Sequence, residues 1–306
     1  MVLSCITTLY NSADYLEVFL EKIYNSIKIL NIVDFEVIIV NDGSPDNSLQ
    51  KCIELKKQYE NITIIDFSKN FGHHKAFYAG LAQSKGDYVF MIDSDLEEDP
   101  SLLIEYWNAL LENKEYDVVY GVQNKRKGGV FERYSGQLFY KILNSLTDFQ
   151  YPVNSLTARL MKRNFVNSVL KYDEKTLELW SIFSIAGFKN LEIISTKGSK
   201  ERTDYTFKRK LNLATETITA SSVKPLNLIF FLGVFIFFSS LLFILWIIFS
   251  YFYYGKDSIS GYSSLIASIW LIGGLTILLL GVIAIYISKI FLEVKNRPLY
   301  QIKKIH

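Results

Sequence analysis

Short apolar runs alternate with amphipathic stretches over roughly the first two hundred residues of the chain. Five of the apolar runs predict β-strands: Val2–Leu9, Glu36–Val40, Ile62–Phe67, Tyr88–Ile92 and Val118–Val122. Four stretches between them have the apolar spacing that predicts helices: Tyr15–Leu30, Asn47–Tyr59, Lys75–Gln83 and Leu102–Leu111. This alternation, with its short connections, predicts a doubly wound α/β fold with a mostly parallel sheet. Ligands bind such sheets beyond the carboxyl ends of the strands, so we expect the chemistry there.

Two blocks of 31 residues, 225–255 and 258–288, carry no charged side chain. A helix needs about 20 apolar residues to cross a bilayer, so each block predicts a transmembrane helix. Between them lies Lys256-Asp257 with flanking glycine and serine, which predicts a short turn and a two-helix hairpin. Basic residues stand at both outer flanks, so the positive-inside rule places both termini in the cytoplasm.

These patterns divide the chain into four parts. We expect a catalytic domain at 1–200, an amphipathic juxtamembrane segment at 201–224, two transmembrane helices at 225–292 and a basic cytoplasmic tail at 293–306. The juxtamembrane segment is expected to lie on the lipid bilayer surface.

Composition changes this picture little. The chain has 306 residues, of which 50% are hydrophobic, and a net charge of +2, which says little about its partners. We expect no nucleic acid among them. Cys5 and Cys52 form no metal-ligand spacing and no redox motif, which favours two buried thiols in a cytosolic domain. The N-terminus lacks a basic region followed by an apolar one, so we expect no signal peptide.

The second predicted strand ends in polar residues. Asp42 stands at the tip of that strand, where a carboxylate can accept hydrogen bonds from a base or a ribose. Gly43 permits a tight turn, and Asp46 is expected to cap the next helix.

Five acidic side chains fall within the seven positions from Asp93 to Asp99, directly after the fourth strand. Because like charges repel, such a run favours a hard cation with oxygen ligands. Mg²⁺ or Mn²⁺ would take one or two carboxylates here and bridge to a diphosphate. We assign Asp93 and Asp95 to the metal and the nucleotide, and Glu98 and Asp99 to a solvated helix cap.

Several segments resemble the family-2 glycosyltransferases, which have a GT-A fold. The likeness is greatest to the polyprenyl-phosphate group, which includes dolichyl-phosphate mannose synthase and bactoprenol glucosyltransferase. The matching segments run along the whole chain: Thr8–Asn11, Val40–Ser44, Ser68–Gly72, Ala79–Leu81, Gly86-Asp87, Asp93–Leu96, Tyr116–Gly121, Arg159–Met161, Tyr205-Thr206 and Pro225-Leu226.

The resemblance implies roles for individual residues. The nucleotide-sugar site would comprise Thr8, Tyr10, Asn11, Asp42, Lys69, Asp93 and Ser94. The metal ligands would be Asp95, Asp93 and Glu97, and the catalytic residues Asp93, Asp95, Arg133 and Arg159. The lipid phosphate would meet Arg133, Thr157 and Arg159. The positive charge of Arg126 and Arg202 assigns them to the same phosphate. The basic run Lys125–Lys127 is either a phosphate clamp or a solvated loop, and His73-His74 is expected to cap or pack at a helix start near the nucleotide.

The resemblance also implies an activity: inverting transfer of a sugar from a UDP- or GDP-sugar to undecaprenyl phosphate at a bacterial inner membrane, for surface-glycan or O-antigen assembly, by a homo-oligomer such as a tetramer. Relatives often carry an aspartate where Thr157 stands. A lipid phosphate is already anionic and needs no base, so Thr157 favours it over a sugar hydroxyl. Two alternatives stay open: transfer to a sugar hydroxyl of a lipid-linked glycan, and a non-catalytic membrane scaffold.

Overall fold

The computed structural model describes residues 1–123, 144–146, 155–195, 222, 224–254 and 262–306. These residues contain eight strands: β1 (Leu3–Leu9), β2 (Phe35–Asn41), β3 (Ile62–Phe67), β4 (Tyr88–Met91), β5 (Val118–Val122), β6 (Ser155–Lys162), β7 (Asn190–Ile194) and β8 (Ile302–Ile305). The numbered helices are α1 (Leu16–Ile29), α2 (Ser48–Leu55), α3 (His73–Gln83), α4 (Leu102–Glu112), α5 (Arg163–Val169), α6 (Leu179–Ile185), α7 (Lys224–Tyr254) and α8 (Tyr262–Lys295).

All eight strands form one sheet in the order β7-β5-β6-β4-β1-β2-β3-β8. The pairs β1–β2, β1–β4, β2–β3 and β5–β7 are parallel. Strand β6 runs antiparallel to both of its neighbours, and β8 runs antiparallel to β3. The predicted α/β class with a mostly parallel sheet is therefore confirmed.

The sheet is covered on both faces. On one face, α1, α2 and α4 pack on side chains such as Leu3 and Phe90, and on the other, α3, α5 and α6 pack on side chains such as Ile6 and Met91. Every residue of β1 is buried, because a central strand between two helical layers has no solvent face. Burying each of these large apolar side chains stabilises the fold by about 1.5–3 kcal/mol.

The predicted strands and helices up to Val122 all exist, with bounds shifted mostly by one or two residues. The largest difference is at α2, which ends at Leu55, four residues before the predicted end. Helix α3 begins at His73 rather than at Lys75, which places both histidines inside its first turn. That shift matters for the site below.

The two uncharged blocks are helical over most of their length. Helices α7 and α8 contain 31 and 34 residues. Within the described residues, one segment is long and apolar enough to cross a membrane: Leu271–Lys295 in α8, with a mean hydropathy of 2.4 and an apolar stretch that the protein leaves unburied. A shorter apolar segment, Lys224–Ile236, begins α7. A membrane-spanning hairpin of two helices stays a prediction.

The C-terminal residues contain a strand. We expected a basic cytoplasmic tail at 293–306, and within that range Ile302–Ile305 pairs with β3 and forms the edge of the sheet. His306 exchanges two backbone hydrogen bonds with Ile64, of 2.9 and 3.2 Å. Upstream of the strand, the ring of Tyr300 stacks on that of Phe67 with centroids 5.1 Å apart. The backbone hydrogen bonds and the Tyr300–Phe67 contact therefore attach the C-terminal residues to β3, although most of these residues have polar side chains.

Candidate active site

The carboxyl ends of β1, β2, β3 and β4 meet at one edge of the sheet. Leu9 pairs with Asn41, and Asn41 pairs with Asp66, so the tips of the first three strands are neighbours. Strand β6 begins at the same edge, because it is antiparallel to β4 and Arg159 pairs with Met91. The loops after these strands therefore converge as the sequence predicts.

Two of these loops are fixed to each other. The N–H of Asn11, which has a φ of 53°, donates to the hydroxyl of Ser44 at 2.8 Å, and the N–H of Ser12 donates to that of Ser48 at 2.9 Å. Asp46 accepts the N–H of Ser48 at 3.1 Å, in line with its expected role at the start of α2. The segment carrying Asn11 is thus held rigid at the edge where a nucleotide is expected.

Asp42 connects the second and third loops. Its Oδ1 accepts the N–H of Phe71 at 2.7 Å, and its Oδ2 accepts the N–H of Gly72 at 3.0 Å. Burial raises the pKa of Asp42 above its usual value, although both backbone hydrogen bonds lower it. This carboxylate therefore orders the entry to α3, and its contact with a base or a ribose stays a prediction.

Gly43 lies against the backbone of the third loop. A Cβ atom at this position would come within 2.5 Å of both the nitrogen of Asn70 and the carbonyl carbon of Lys69. Its φ of +60° also favours glycine. Close approach of the two loops thus depends on the missing side chain. Lys69 is exposed beside this contact, with its Nζ 5.2 Å from the ring centroid of Phe71.

The acidic loop after β4 begins with partly exposed carboxylates at Asp93 and Asp95. Between Asp95 and Glu97 the chain turns through Leu96, whose φ of 58° is unusual for a leucine, and Oδ1 of Asp95 accepts the N–H of Glu97 at 3.1 Å. Such backbone strain is common at ligand sites, where it aims a side chain.

Ser94 is hydrogen-bonded within the protein, and its contact with a nucleotide sugar stays a prediction. Its hydroxyl is buried, donates to the carbonyl of Thr8 at 2.7 Å and lies 3.0 Å from the hydroxyl of Ser12. The side chain we assigned to the nucleotide sugar therefore ties the acidic loop to the first loop. Thr8 itself is nearly buried, and Tyr10 is half exposed.

The predicted set of three carboxylate ligands is not assembled. No group of three aspartate, glutamate, histidine or cysteine side chains in the described part of the chain is placed to hold a metal ion. Mg²⁺ is usually bound by one or two carboxylates together with substrate phosphates and water. Asp93 and Asp95, two partly exposed acids at a strand tip, fit that partial coordination. Glu97 as a third ligand stays a prediction.

Glu98 was expected to be solvated, and that expectation is wrong. Its side chain is buried, and its two carboxylate oxygens accept the N–H groups of Thr157 at 2.9 Å and Ala158 at 2.6 Å. Glu98 thus joins the acidic loop to the start of β6. Asp99 is exposed, as expected, and pairs with Lys22 at 2.6 Å.

His73 reaches the acidic loop, a contact that goes beyond the capping or packing role expected for it near the nucleotide. Its Nε2 lies 3.3 Å from Oδ1 of Asp93, and its Nδ1 lies 3.4 Å from the hydroxyl of Thr8. The ring packs edge-on to Phe77, with centroids 4.6 Å apart. In the sequence, this contact could have been predicted from the two histidines that directly follow the strand-tip loop Asn70–Gly72.

Arg159, predicted to bind the acceptor phosphate, is 5% exposed and lies among aromatic rings. Its guanidinium carbon is 4.2 Å from the ring centroid of Trp180 and 4.5 Å from that of Phe183. Its Nη2 and Nε donate to the carbonyls of Leu156 and Thr157 at 3.2 and 3.3 Å. Arg159 therefore fixes the backbone at the start of β6 through these two carbonyls. Its contact with a phosphate stays a prediction.

His74 packs against the same aromatic cluster as Arg159, and we call this group the His74–Trp180 wall. Its Nδ1 accepts the N–H of Leu179 at 2.9 Å, and its ring packs against Trp180, with centroids 5.6 Å apart. Burial lowers the pKa of His74 to about 4, so the ring is neutral near pH 7. Arg126, Arg133 and Arg202, which we expected at the acceptor phosphate, lie outside the described residues, as does the run Lys125–Lys127.

A family model described as glycosyl transferase family 2 matches residues 4–170, which include β1 to β6 and every strand tip of this site. The chain belongs to glycosyl transferase family 2. In an α/β sheet of this kind, substrates are expected to bind at the strand-tip edge described above.

Relatives match this family-2 glycosyltransferase along its full length. A glycosyltransferase of Mycobacterium tuberculosis is 38% identical over 306 residues, covering 100% of this chain and 89% of the relative. A prophage-derived bactoprenol glucosyl transferase of Shigella flexneri is 30% identical over 312 aligned positions, covering 100% of this chain and 99% of the relative. The similarity therefore includes the two apolar helices.

The fold is similar to that of a solved mannosyltransferase from Pyrobaculum calidifontis, whose structure is a complex with GDP-mannose and Mn²⁺. The TM-score is 0.51 at 15% identity, and the match covers 71% of this family-2 glycosyltransferase and 63% of the solved chain. At this identity the likeness shows the fold, and the GT-A expectation agrees with it.

Proposed function

We propose that this glycosyltransferase moves a sugar from a nucleoside-diphosphate sugar to a polyprenyl phosphate at the cytoplasmic face of a bacterial membrane. The observation that carries the proposal is the placement of Asp93 and Asp95 at the tip of β4, in a chain that also has a helix apolar enough to span a bilayer. Full-length similarity to a bactoprenol glucosyl transferase supports the lipid acceptor.

In this proposal the donor lies across the tips of β1, β2 and β4. Thr8, Tyr10, Asn11 and Asp42 would contact the nucleoside, and Asp93 and Asp95 would hold a divalent cation beside the diphosphate. When bound, that cation supplies positive charge that stabilises the leaving diphosphate. His73 orients Asp93 from the first turn of α3, so the carboxylate is in place before substrates arrive.

The acceptor needs little activation by the protein. A lipid phosphate is anionic at neutral pH, so its oxygen can attack the anomeric carbon without a base. The nucleoside diphosphate leaves from the opposite side, and the configuration at the anomeric carbon inverts. The side chain at the start of β6 is that of Thr157, which is no base at neutral pH. A sugar hydroxyl would need one, so the same residue counts against a glycan acceptor.

The test uses the full chain in detergent with undecaprenyl phosphate, Mg²⁺ or Mn²⁺ and a panel of UDP- and GDP-sugars. Release of nucleoside diphosphate should require both the lipid and the cation and should be lost in Asp95→Asn. Donor binding without lipid-dependent release would contradict the lipid acceptor and favour a glycan hydroxyl. Absence of donor binding would contradict an enzyme and favour a membrane scaffold.

A further inference from the structure

Glu293 lies two residues before the end of α8 and contacts the catalytic domain. Its two carboxylate oxygens accept the N–H of Lys175 at 2.9 and 3.1 Å, and one of them also accepts the N–H of Thr176 at 3.1 Å. Two successive backbone donors thus converge on one carboxylate. A negative charge that binds consecutive N–H groups fixes the local backbone more firmly than one neutral hydrogen bond.

The segment that Glu293 holds continues into the wall of the active site. Glu178, two residues after Thr176, accepts the N–H of Ser181 at 2.6 Å and so caps α6. The next residue, Leu179, donates its N–H to His74, and Trp180 packs on Arg159. A displacement of this segment would therefore move the histidine and the aromatic rings beneath the start of β6.

Helix α8 is fixed at two further points. The hydroxyl of Tyr286 donates to the carbonyl of Ser222 at 2.8 Å, just before α7. Beyond Glu293, Tyr300 stacks on Phe67, and β8 pairs with β3. The helix end and the residues after it thus attach to the strand β3 next to the donor loops and to the segment next to α6.

We infer that Glu293 is a positioning residue, which fixes segment 173–178 to the end of α8 and so sets the height of the His74–Trp180 wall above the bilayer. A lipid phosphate reaches the site at a depth fixed by the membrane, so its productive encounter depends on that height. The part of this inference that concerns the acceptor rests on the proposed function. Its structural part, the tie between Glu293 and segment 173–178, does not.

The experiment compares full-length Glu293→Ala and Glu293→Gln with Lys295→Ala, a matched change at the same helix end. Lys295 contacts the ring of Phe291 on its own helix. Hydrogen exchange followed by mass spectrometry should show faster exchange in peptides covering 173–180 of Glu293→Ala, by about tenfold, with β1 to β4 unchanged. Glu293→Gln keeps one acceptor oxygen and should show a smaller change, and Lys295→Ala should match the wild type.

Kinetics supply the second measurement. In nanodiscs, Glu293→Ala should raise the KM for undecaprenyl phosphate about fivefold and leave the KM for the donor unchanged. Unchanged exchange at 173–180, or faster exchange throughout the domain, would overturn the structural tie. Faster local exchange with an unaltered lipid KM would overturn the role toward the acceptor. A wild-type enzyme without lipid-dependent turnover would refute the proposed function instead, while the exchange result would still decide the tie.

Discussion

The ring of His73 stands between two strand tips: its Nε2 lies 3.3 Å from Oδ1 of Asp93, and its Nδ1 lies 3.4 Å from the hydroxyl of Thr8. The ring itself comes from a third element, the first turn of α3. One side chain therefore joins the loop expected to hold the diphosphate to the loop expected to hold the nucleoside. The His73 side chain is 42% exposed, so part of the ring faces solvent at this edge of the sheet.

Replacing His73 should weaken catalysis more than it weakens the fold. We expect His73→Ala to lower kcat/KM about tenfold, because Asp93 loses the group that orients it, and a tenfold loss corresponds to about 1.4 kcal/mol of transition-state stabilisation. His73→Gln keeps a nitrogen donor at the distance of Nε2 and should recover most of that loss. Steady-state release of nucleoside diphosphate, with the cation titrated, measures both variants.

The KM for the cation shows whether His73→Ala acts through the orientation of Asp93 or through a loss of stability of the fold. It should rise in His73→Ala and return in His73→Gln, while the melting temperature of both variants stays near that of the wild type. Equal cation requirements in all three proteins would contradict a role toward Asp93.

Adding a methyl group at Gly43 should push two loops apart. Gly43→Ala places a Cβ atom 2.5 Å from backbone atoms of Lys69 and Asn70 at a φ of +60°. The strain should cost about 1–3 kcal/mol of unfolding free energy, with the steric contact in addition. Gly72→Ala isolates backbone strain without a clash: its φ of +101° and ψ of 148° lie close to a region adopted almost only by glycine, and its Cβ would meet nothing within 4 Å.

Denaturant unfolding and donor binding both report on this contact. Gly43→Ala should unfold more easily than the wild type and bind the nucleoside diphosphate more weakly than Gly72→Ala does. A stability of Gly43→Ala equal to that of the wild type would show that the third loop moves away without cost.

Removing the buried carboxylate of Glu98 should destabilise the protein. In Glu98→Ala the N–H groups of Thr157 and Ala158 lose their partners, and each buried unsatisfied donor costs about 1–3 kcal/mol. Asp99→Asn, which breaks an exposed pair with Lys22, should cost at most about 1 kcal/mol. Thermal unfolding of the two variants checks the contrast, and similar losses would mean that water replaces the carboxylate of Glu98.

The neutral state of His74 should make stability depend on pH. The folded pKa is about 4, below the ordinary value of 6.5, so below pH 6.5 the unfolded chain binds a proton that the folded protein does not. Stability from this group is therefore fully present above pH 6.5 and falls as pH drops from 6.5 to 4, by at most about 1.4 kcal/mol per pH unit.

His74→Asn removes the titration and keeps an oxygen that can accept the N–H of Leu179. The stability of this variant should depend less on pH between 6.5 and 4 than that of the wild type, as measured by unfolding at several pH values. Parallel pH curves for the two proteins would place the proton dependence elsewhere.

The elements of the first half were predictable because their signal is local. The uncharged strand Val37–Val40 and the helical spacing after it fix the type of each element without reference to its neighbours. The placement of Asp42, Asp93 and Asp95 at strand tips was predictable for the same reason, since a polar residue directly after a buried strand lies at the edge where such folds bind ligands.

Three features depended on pairing between distant parts of the chain. Glu98 is buried because antiparallel β6 presents two N–H groups to it across 59 and 60 residues. Arg159 packs against the rings of Trp180 and Phe183 because of the face of the sheet on which β6 places it. A sequence motif does not reveal that face. Strand β8 has the sequence Ile-Lys-Lys-Ile, too short and too charged to predict a strand without its partner β3.

The last strand also fixes an order of events in biosynthesis. Strand β8 follows both apolar helices in the chain, so the ribosome makes the edge strand of the sheet after α7 and α8. Until then β3 has an unpaired edge, which invites pairing with other chains. A protein that ended before α7 would keep that open edge permanently, and synthesis of the two apolar helices thus precedes completion of the enzyme's own sheet.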